Sequence, residues 1–162
     1  MLKILYDIRE KKPYKFAEIK ELEPDATFSV AMRSLSTGDY TAEGLEEIAV
    51  IERKSPRDFL NTLTQAQDRF MREFRRMNGM PFAAIVVETR LEALAQGSGN
   101  TALHLQKAVA EDGFFAKMLL MRILFPNIRW YFAASRAAAE FYTYKQLNYW
   151  YKKTYEKQNV HV

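Results

Sequence analysis

The sequence predicts an α/β sandwich, a mixed β-sheet with α-helices on its faces. Three observations carry that expectation. Short apolar runs that end in charged residues occur at Leu2 to Asp7, Ile48 to Lys54 and Phe82 to Glu88, and the last is continuous enough for a strand covered on both faces. Segments with apolar residues at helical spacing separate them, most clearly Pro56 to Asn78. The two patterns alternate along the chain, and an early hairpin makes the sheet mixed.

Leu2 to Asp7 reads as a short buried strand ending in an acid. Ala26 to Leu35 reads as a second strand, closed by Ser36-Thr37-Gly38-Asp39. Ile48 to Lys54 is a third, and a turn around Gly44 joins the second and third as a hairpin. Ser55-Pro56 has the form of an N-cap followed by the first helical position. In the helix that follows, Phe59, Leu63, Ala66, Phe70, Phe74 and Met77 share one face, and Gly79 is placed to end it. Phe82 to Glu88 is the next strand. Thr89 to Asn100 contains Gln-Gly-Ser-Gly-Asn and reads as a mobile loop. Thr101 to Leu124 is helical by period, with a break near Gly113. Pro126-Asn127 makes a turn, Ile128 to Ala133 is a final strand, and Ser135 caps a last helix running to about Glu156.

A chain of 162 residues suits one domain with one sizeable core. The hydrophobic share of 48% implies a packed chain rather than a disordered one. A formal charge of +4 and a pI near 9.2 are compatible with a polyanionic partner. No cysteine is present, which excludes disulfides and thiolate metal sites. The N-terminus lacks the apolar stretch of a signal peptide and no apolar run approaches a membrane span. The expectation is a soluble cytoplasmic protein with no membrane partner. No Gly-rich phosphate loop occurs, which argues against a nucleotide cofactor. His104 and His161 are too isolated for a zinc site.

The chemistry concentrates at Gly38-Asp39 and at Val50 to Asp58. Glu52 and Lys54 alternate on a strand, so both side chains leave the same face. They interrupt an apolar strand just before a helix, and strand ends are where open α/β sheets place their sites. Asp39 alone would be a turn aspartate. Beside Glu52-x-Lys54 it becomes a candidate partner in a site for a hard divalent cation, magnesium or manganese, with a positive group next to the attacking water. Arg53 points to the opposite face and reads as a structural ion-pair residue. Ser55-x-x-Asp58 is a capping-box arrangement, which lets Asp58 tie down the helix start and still orient Lys54. Asp7, taken alone, is an ordinary strand exit. Asp58, Gln65, Arg69, Arg72 and Arg76 form one helical stripe, and its arginines are a candidate track for a nucleic-acid backbone.

These residues resemble a known signature. Gly38-Asp39-Tyr40 with Ile51-Glu52-Arg53-Lys54-Ser55-x-x-Asp58 is similar to the GD…ERKxxxD motif of the XPF-type excision-repair nuclease domain. Asp7-x-Arg9-Glu10, Arg69-Phe70, Ile85-Val86-Val87-Glu88 and Leu124 to Trp130 resemble further stretches of that family. The similarity covers nearly the whole chain and is greatest to stand-alone bacterial and phage members. It implies a restriction-endonuclease-like fold related to the PD-(D/E)XK nucleases, with a nuclease domain over 1–157 and a tail over 158–162. It implies metal-dependent endonucleolytic cleavage of DNA, often at flaps, forks or junctions, in repair or recombination, by a protein of the bacterial cytoplasm and nucleoid. By residue, it implies metal ligation by Asp39 and Glu52, a catalytic role for Lys54, and further active-site roles for Asp7, Arg9, Arg53 and Asp58. Larger members continue into a tandem helix-hairpin-helix module, where this sequence ends in Lys-Gln-Asn-Val-His-Val.

Two other readings stand beside the endonuclease. One is a non-catalytic DNA-binding or scaffold subunit, since the family includes partners that have lost the motif; here the motif is intact. The other is a nuclease whose target is RNA. The last helix carries Phe141, Tyr142, Tyr144, Leu147, Tyr149, Trp150, Tyr151 and Tyr155. That aromatic surface is read either as packed on two sides within the monomer or as a homodimer interface, and the resemblance favours the dimer.

Overall fold

Alternation along the strands decides the architecture. In the computed structural model, which describes residues 1–64, 67–96 and 113–155, the strands are β1 (Leu2–Asp7), β2 (Phe28–Arg33), β3 (Tyr40–Ala42), β4 (Ala49–Lys54), β5 (Phe82–Val87) and β6 (Ile128–Phe132). The described helices are α1 (Ala17–Leu22), α2 (Pro56–Thr64), α3 (Gln67–Asn78), α4 (Leu91–Gln96), α5 (Phe114–Leu124) and α6 (Arg136–Tyr155). On β5, Phe82, Ala84 and Val86 enter one buried cluster, while Ala83, Ile85 and Val87 enter another. On β4, Ala49 and Ile51 join the first and Val50 joins the second. The first cluster is closed by Phe16, Ile19, Tyr144 and Leu147 from α1, its N-cap and α6; the second by Phe59, Leu63, Phe74, Met77 and Phe114 from α2, α3 and α5. The sheet is therefore the middle layer of a three-layer α/β sandwich.

The strands form one six-stranded sheet in the order β2-β1-β3-β4-β5-β6. β1 pairs parallel with β2, and β4, β5 and β6 run parallel to each other; β3 is antiparallel to both of its neighbours. This is the mixed sheet expected from sequence, with the restriction-endonuclease-like arrangement. One consequence governs function. The C-terminal ends of β1, β4, β5 and β6 and the N-terminal end of β3 all lie along one edge of the sheet. Asp7 and Lys54 end their strands there, and Asp39, Glu88 and Arg136 lie within one to four residues of a strand end on that edge.

The hairpin is not the one expected. β4 pairs with the three-residue β3, and the predicted second strand, β2, instead lies at the sheet edge, parallel to β1. A strand of three residues is too short for a period-2 signal. The parallel pairing of β1 with β2 needs a crossover, and α1 lies in it; sequence reasoning left that helix unassigned. Gly44 does sit in the turn, between β3 and β4, at φ 81°.

The predicted helix from Pro56 to Asn78 is described as α2 and α3; Gln65 and Ala66 between them lie outside the described residues. The predicted loop Thr89 to Asn100 contains α4. Residues 97–112, including His104 and the start of the predicted Thr101 to Leu124 helix, lie outside the described residues, as do 156–162 with His161 and the predicted tail. The expected caps are present: Ser55 Oγ accepts from Asp58 N at 3.2 Å and Ser135 Oγ accepts from Ala138 N at 3.1 Å. Among the described residues no helix is long and apolar enough to cross a membrane.

α6 uses most of its aromatic surface inside the chain. Tyr144 and Leu147 are buried, Phe141, Tyr142, Trp150, Tyr151 and Tyr155 pack against the first cluster, and Tyr142 stacks on Tyr131 at 3.7 Å. Only Tyr149 of that set is exposed. The packed-within-the-monomer reading describes this helix.

Candidate active site

Asp39 is fixed by its neighbours before its side chain is considered. Its main-chain N–H donates to Ile51 O and its carbonyl accepts from Asp7 N, both at 2.9 Å, so it bridges β4 and β1. Gly38 makes this possible. It has φ 72°, and a Cβ there would lie 3.2 Å from both Ile51 O and Val50 Cβ. Its N–H donates to Glu73 Oε1 at 2.8 Å, which ties the turn to α3. Asp39 Oδ2 then accepts from Arg53 N at 2.8 Å.

The period of β4 sorts the next three residues. Glu52 and Lys54 share the Val50 face, towards α2 and α3, and Lys54 Nζ donates to Glu52 Oε1 at 2.5 Å. The ammonium also sits 4.4 Å from the ring centroid of Phe70, a cation–π position. Sequence reasoning placed Phe70 on the apolar face of its helix; it is half-buried and serves as the wall behind Lys54. Arg53 leaves the other face. It forks onto Glu88, with Nε and Nη2 each donating at 2.8 Å, and its Nη1 reaches both Glu10 oxygens at 3.2 Å. Burial works against this cation, and the two carboxylates hold its pKa above the ordinary arginine value. Arg53 is the ion-pair residue expected from its strand face, and it also lines the cleft.

Asp7 is buried and fully used. Its Oδ1 accepts from Arg9 Nε at 2.5 Å and Arg9 N at 3.0 Å, and Oδ2 from Leu35 N at 2.7 Å. Burial raises its pKa, but these bonds from Arg9 and Leu35 win and hold it below the ordinary value. Asp7 thus orients the β1 exit and Arg9, whose Nη2 donates to Leu35 O at 3.0 Å. Asp58 accepts from Ser55 Oγ at 2.6 Å and is exposed. It caps α2, while Lys54 bonds to Glu52 rather than to Asp58, so Asp58 does not orient Lys54 directly.

These groups open on one cleft of about 1020 Å³. Asp39, Glu52, Lys54, Arg53, Arg9, Asp58 and Arg69 line it, with Glu10, Glu73, Glu88, Lys11, Lys12, Lys15 and Arg136, which sequence reasoning did not place in the site. Asp7 is buried and does not line it. Of the arginine stripe, Arg69 lines the cleft, Arg72 is exposed and does not line it, and Arg76 is committed to Glu73 and, at 3.1 Å, to Thr37 Oγ1. Gln65 lies outside the described residues. Of the groups missed, Glu88 had a signal, as an acid closing a doubly buried strand. Arg136 had none, because its contacts reach across 48 and 124 residues of chain.

The electrostatics of the Asp39–Glu52 pair are unfavourable as they stand. Burial first, and then the Glu52 charge, push the Asp39 carboxyl well above the ordinary aspartate range, against Lys54 and the Arg53 N–H. Among the described residues Asp39 Oδ1 and Glu52 Oε2 accept no hydrogen bond. No cluster of three or more His, Cys, Asp or Glu side chains forms a ready metal cage among the described residues. Two hard oxygens with the remaining positions open suit magnesium, which keeps several waters and binds through one or two carboxylates plus substrate phosphates. A divalent cation would also reverse the repulsion that raises Asp39.

The model of the ERCC4 domain matches residues 6–144. The fold is similar to "XPF from Aeropyrum pernix", with a TM-score of 0.64 and 15% identity over 98% of this chain and 69% of that chain. It is also similar to "XPF from Aeropyrum pernix, complex with DNA", with a TM-score of 0.63 and 17% identity over 94% of this chain and 66% of that chain. This chain thus spans about two thirds of the length of these solved chains. No curated protein matches it.

Proposed function

Because this chain belongs to the ERCC4 family of nuclease domains, we propose that it is a divalent-metal-dependent DNA endonuclease that prefers branched or flap DNA to plain duplex. The observation that carries the reading is the convergence of Asp39, Glu52 and Lys54 from three chain positions into one cleft. Asp39 and Glu52 would hold magnesium or manganese. Such an ion supplies Lewis acidity at a phosphate oxygen and lowers the pKa of the attacking water. Lys54, held against Glu52 and Phe70, keeps a positive charge where negative charge develops on the phosphorus oxygens. Arg53, clamped by Glu88 and Glu10, fixes the end of β4 so that its main-chain N–H orients Asp39. A relative of the same fold solved in complex with DNA supports DNA as the substrate.

The proposal includes a homodimer. Its support lies on α5 rather than on α6: Phe115, Leu119, Leu120, Ile123 and Leu124 are all exposed there. Such a face suits a second copy of the chain. Sedimentation equilibrium at micromolar concentration tests this, and a mass near one 18.9 kDa chain contradicts it.

The activity is tested with a panel of flap, fork, junction, duplex and single-stranded DNA, with magnesium or with EDTA. The reading requires magnesium-dependent cutting, faster on branched substrates. No cutting of any substrate would favour the scaffold subunit.

A further inference from the structure

The loop between β1 and α1 is built with more care than a connection needs. Tyr14 and Phe16 are both buried, and Phe16 adopts φ 54°, a left-handed conformation rare for a residue with a side chain. Tyr14 stacks on Tyr40 at 4.9 Å and its N–H donates to the Tyr40 hydroxyl at 2.9 Å. The Lys12 N–H donates to Glu10 Oε1 at 2.7 Å. Between and beside these anchors, Lys11, Lys12 and Lys15 are exposed, line the cleft, and form no ion pair with any described residue. Three cations without an ion-pair partner among the described residues thus stand on an anchored loop beside a candidate phosphodiesterase centre.

Arg136, at the start of α6, holds this loop from outside. Its Nη2 donates to the carbonyls of Lys12 at 2.6 Å and Pro13 at 3.2 Å, and its guanidinium lies 4.8 Å from the Tyr14 ring. Its Nη1 donates at 2.8 Å to Glu88 Oε1, which also accepts from Arg53 Nε. A continuous chain of hydrogen bonds therefore runs from the loop carbonyls through Arg136 and Glu88 to Arg53, whose N–H orients Asp39.

We propose that Lys11, Lys12 and Lys15 form a backbone-phosphate-binding rim for nucleic acid on this cleft, and that Arg136 is the positioning residue that sets the rim relative to Asp39. The inference rests on the nuclease reading, and adds to Arg69 a second set of phosphate contacts on a different element. Holding the loop backbone before binding lowers the entropic cost of each contact. The contacts are to phosphates, so the rim sets register and affinity without reading sequence.

The test is the salt dependence of binding to duplex and flap DNA in EDTA, where nothing is cut. Each lost phosphate contact lowers the log–log slope by about 0.9 on duplex, so Lys11→Ala/Lys12→Ala/Lys15→Ala should lower it by about 1.8 to 2.7. A slope unchanged from the parent overturns the rim and leaves the nuclease reading standing. A parent with no salt-dependent DNA binding overturns the nuclease reading, and the rim with it. Arg136→Ala alone should move the slope towards that of the triple variant, and should add nothing in the triple-variant background. An independent loss there overturns the positioning role. If Arg136→Ala does not fold, Arg136→Lys, which keeps the charge but loses the fork, carries the same comparison.

Discussion

Lys54 Nζ lies 2.5 Å from Glu52 Oε1, and the ammonium rests on the face of Phe70 at 4.4 Å. The two residues are two positions apart on β4, so the pleat alone brings them together. The pair is nearly buried, and the lysine cannot drift into solvent without leaving Glu52 uncompensated. Lys54→Ala should therefore lower single-turnover cleavage by about 10²–10³, the scale of losing one preorganised charge-stabilising donor. DNA binding in EDTA should stay near the parental value. Cleavage at the parental rate would remove Lys54 from the chemistry.

Gly38 sets the aim of Asp39. Its positive φ strains any side chain there, and a Cβ 3.2 Å from Ile51 O would require that neighbour to give by a few tenths of an ångström. Gly38→Ala should cost about 1–2 kcal/mol from the left-handed conformation alone. In a domain of this size each kcal/mol lowers Tm by about 2–4 °C, readable by thermal unfolding. An unchanged Tm would mean that the turn relaxes without strain.

Glu88 joins two arginines. The side chains of Arg53 and Glu88 are 10% and 8% exposed, which makes their pair a buried one. Glu88→Ala leaves Arg53 and Arg136 without their shared acceptor, and should cost about 3–5 kcal/mol in urea unfolding. A loss below about 1 kcal/mol would be that of a solvated surface pair.

The arginines of α3 are not equivalent. Arg69 lines the cleft, while Arg76 is already bonded to Glu73 and Thr37. Arg69→Ala should lower the salt slope of duplex binding by about 0.9, and Arg76→Ala by clearly less. Equal effects would mean that Arg76 leaves Glu73 to meet DNA.

Much of the fold was legible, for a physical reason. β1, β5 and α6 carry long or continuous patterns, and their ends fell within a residue or two of expectation. β3 is three residues long and α1 six, too short for a period to register, so the hairpin was assigned to the wrong strand. The central site was legible because Gly38-Asp39 and Glu52-x-Lys54 encode their geometry locally, in a turn and in a pleat. The Arg136–Glu88–Arg53–Glu10 chain was not, because it joins four elements at long range. The lysine rim looked like an ordinary charged loop until Tyr14, Phe16 and Arg136 showed that its backbone is held. The aromatics of α6 leave packing within the chain and a homodimer interface both open in the sequence, because local pattern does not reveal which side chains meet the sheet; most of them pack against the first cluster.

The most direct test of the account is DNA cleavage by Asp39→Asn and Glu52→Gln with magnesium, set beside the parent protein in EDTA. Asp39→Asn relieves a buried charge repelled by Glu52, so its Tm should match or exceed the parental value, whereas Glu52→Gln leaves the nearly buried Lys54 without its carboxylate and should lower Tm while keeping a cooperative transition. The account predicts that both variants bind DNA and unfold cooperatively, yet cut no faster than the parent in EDTA. Parental cleavage by either variant would contradict the metal-dependent site at Asp39 and Glu52.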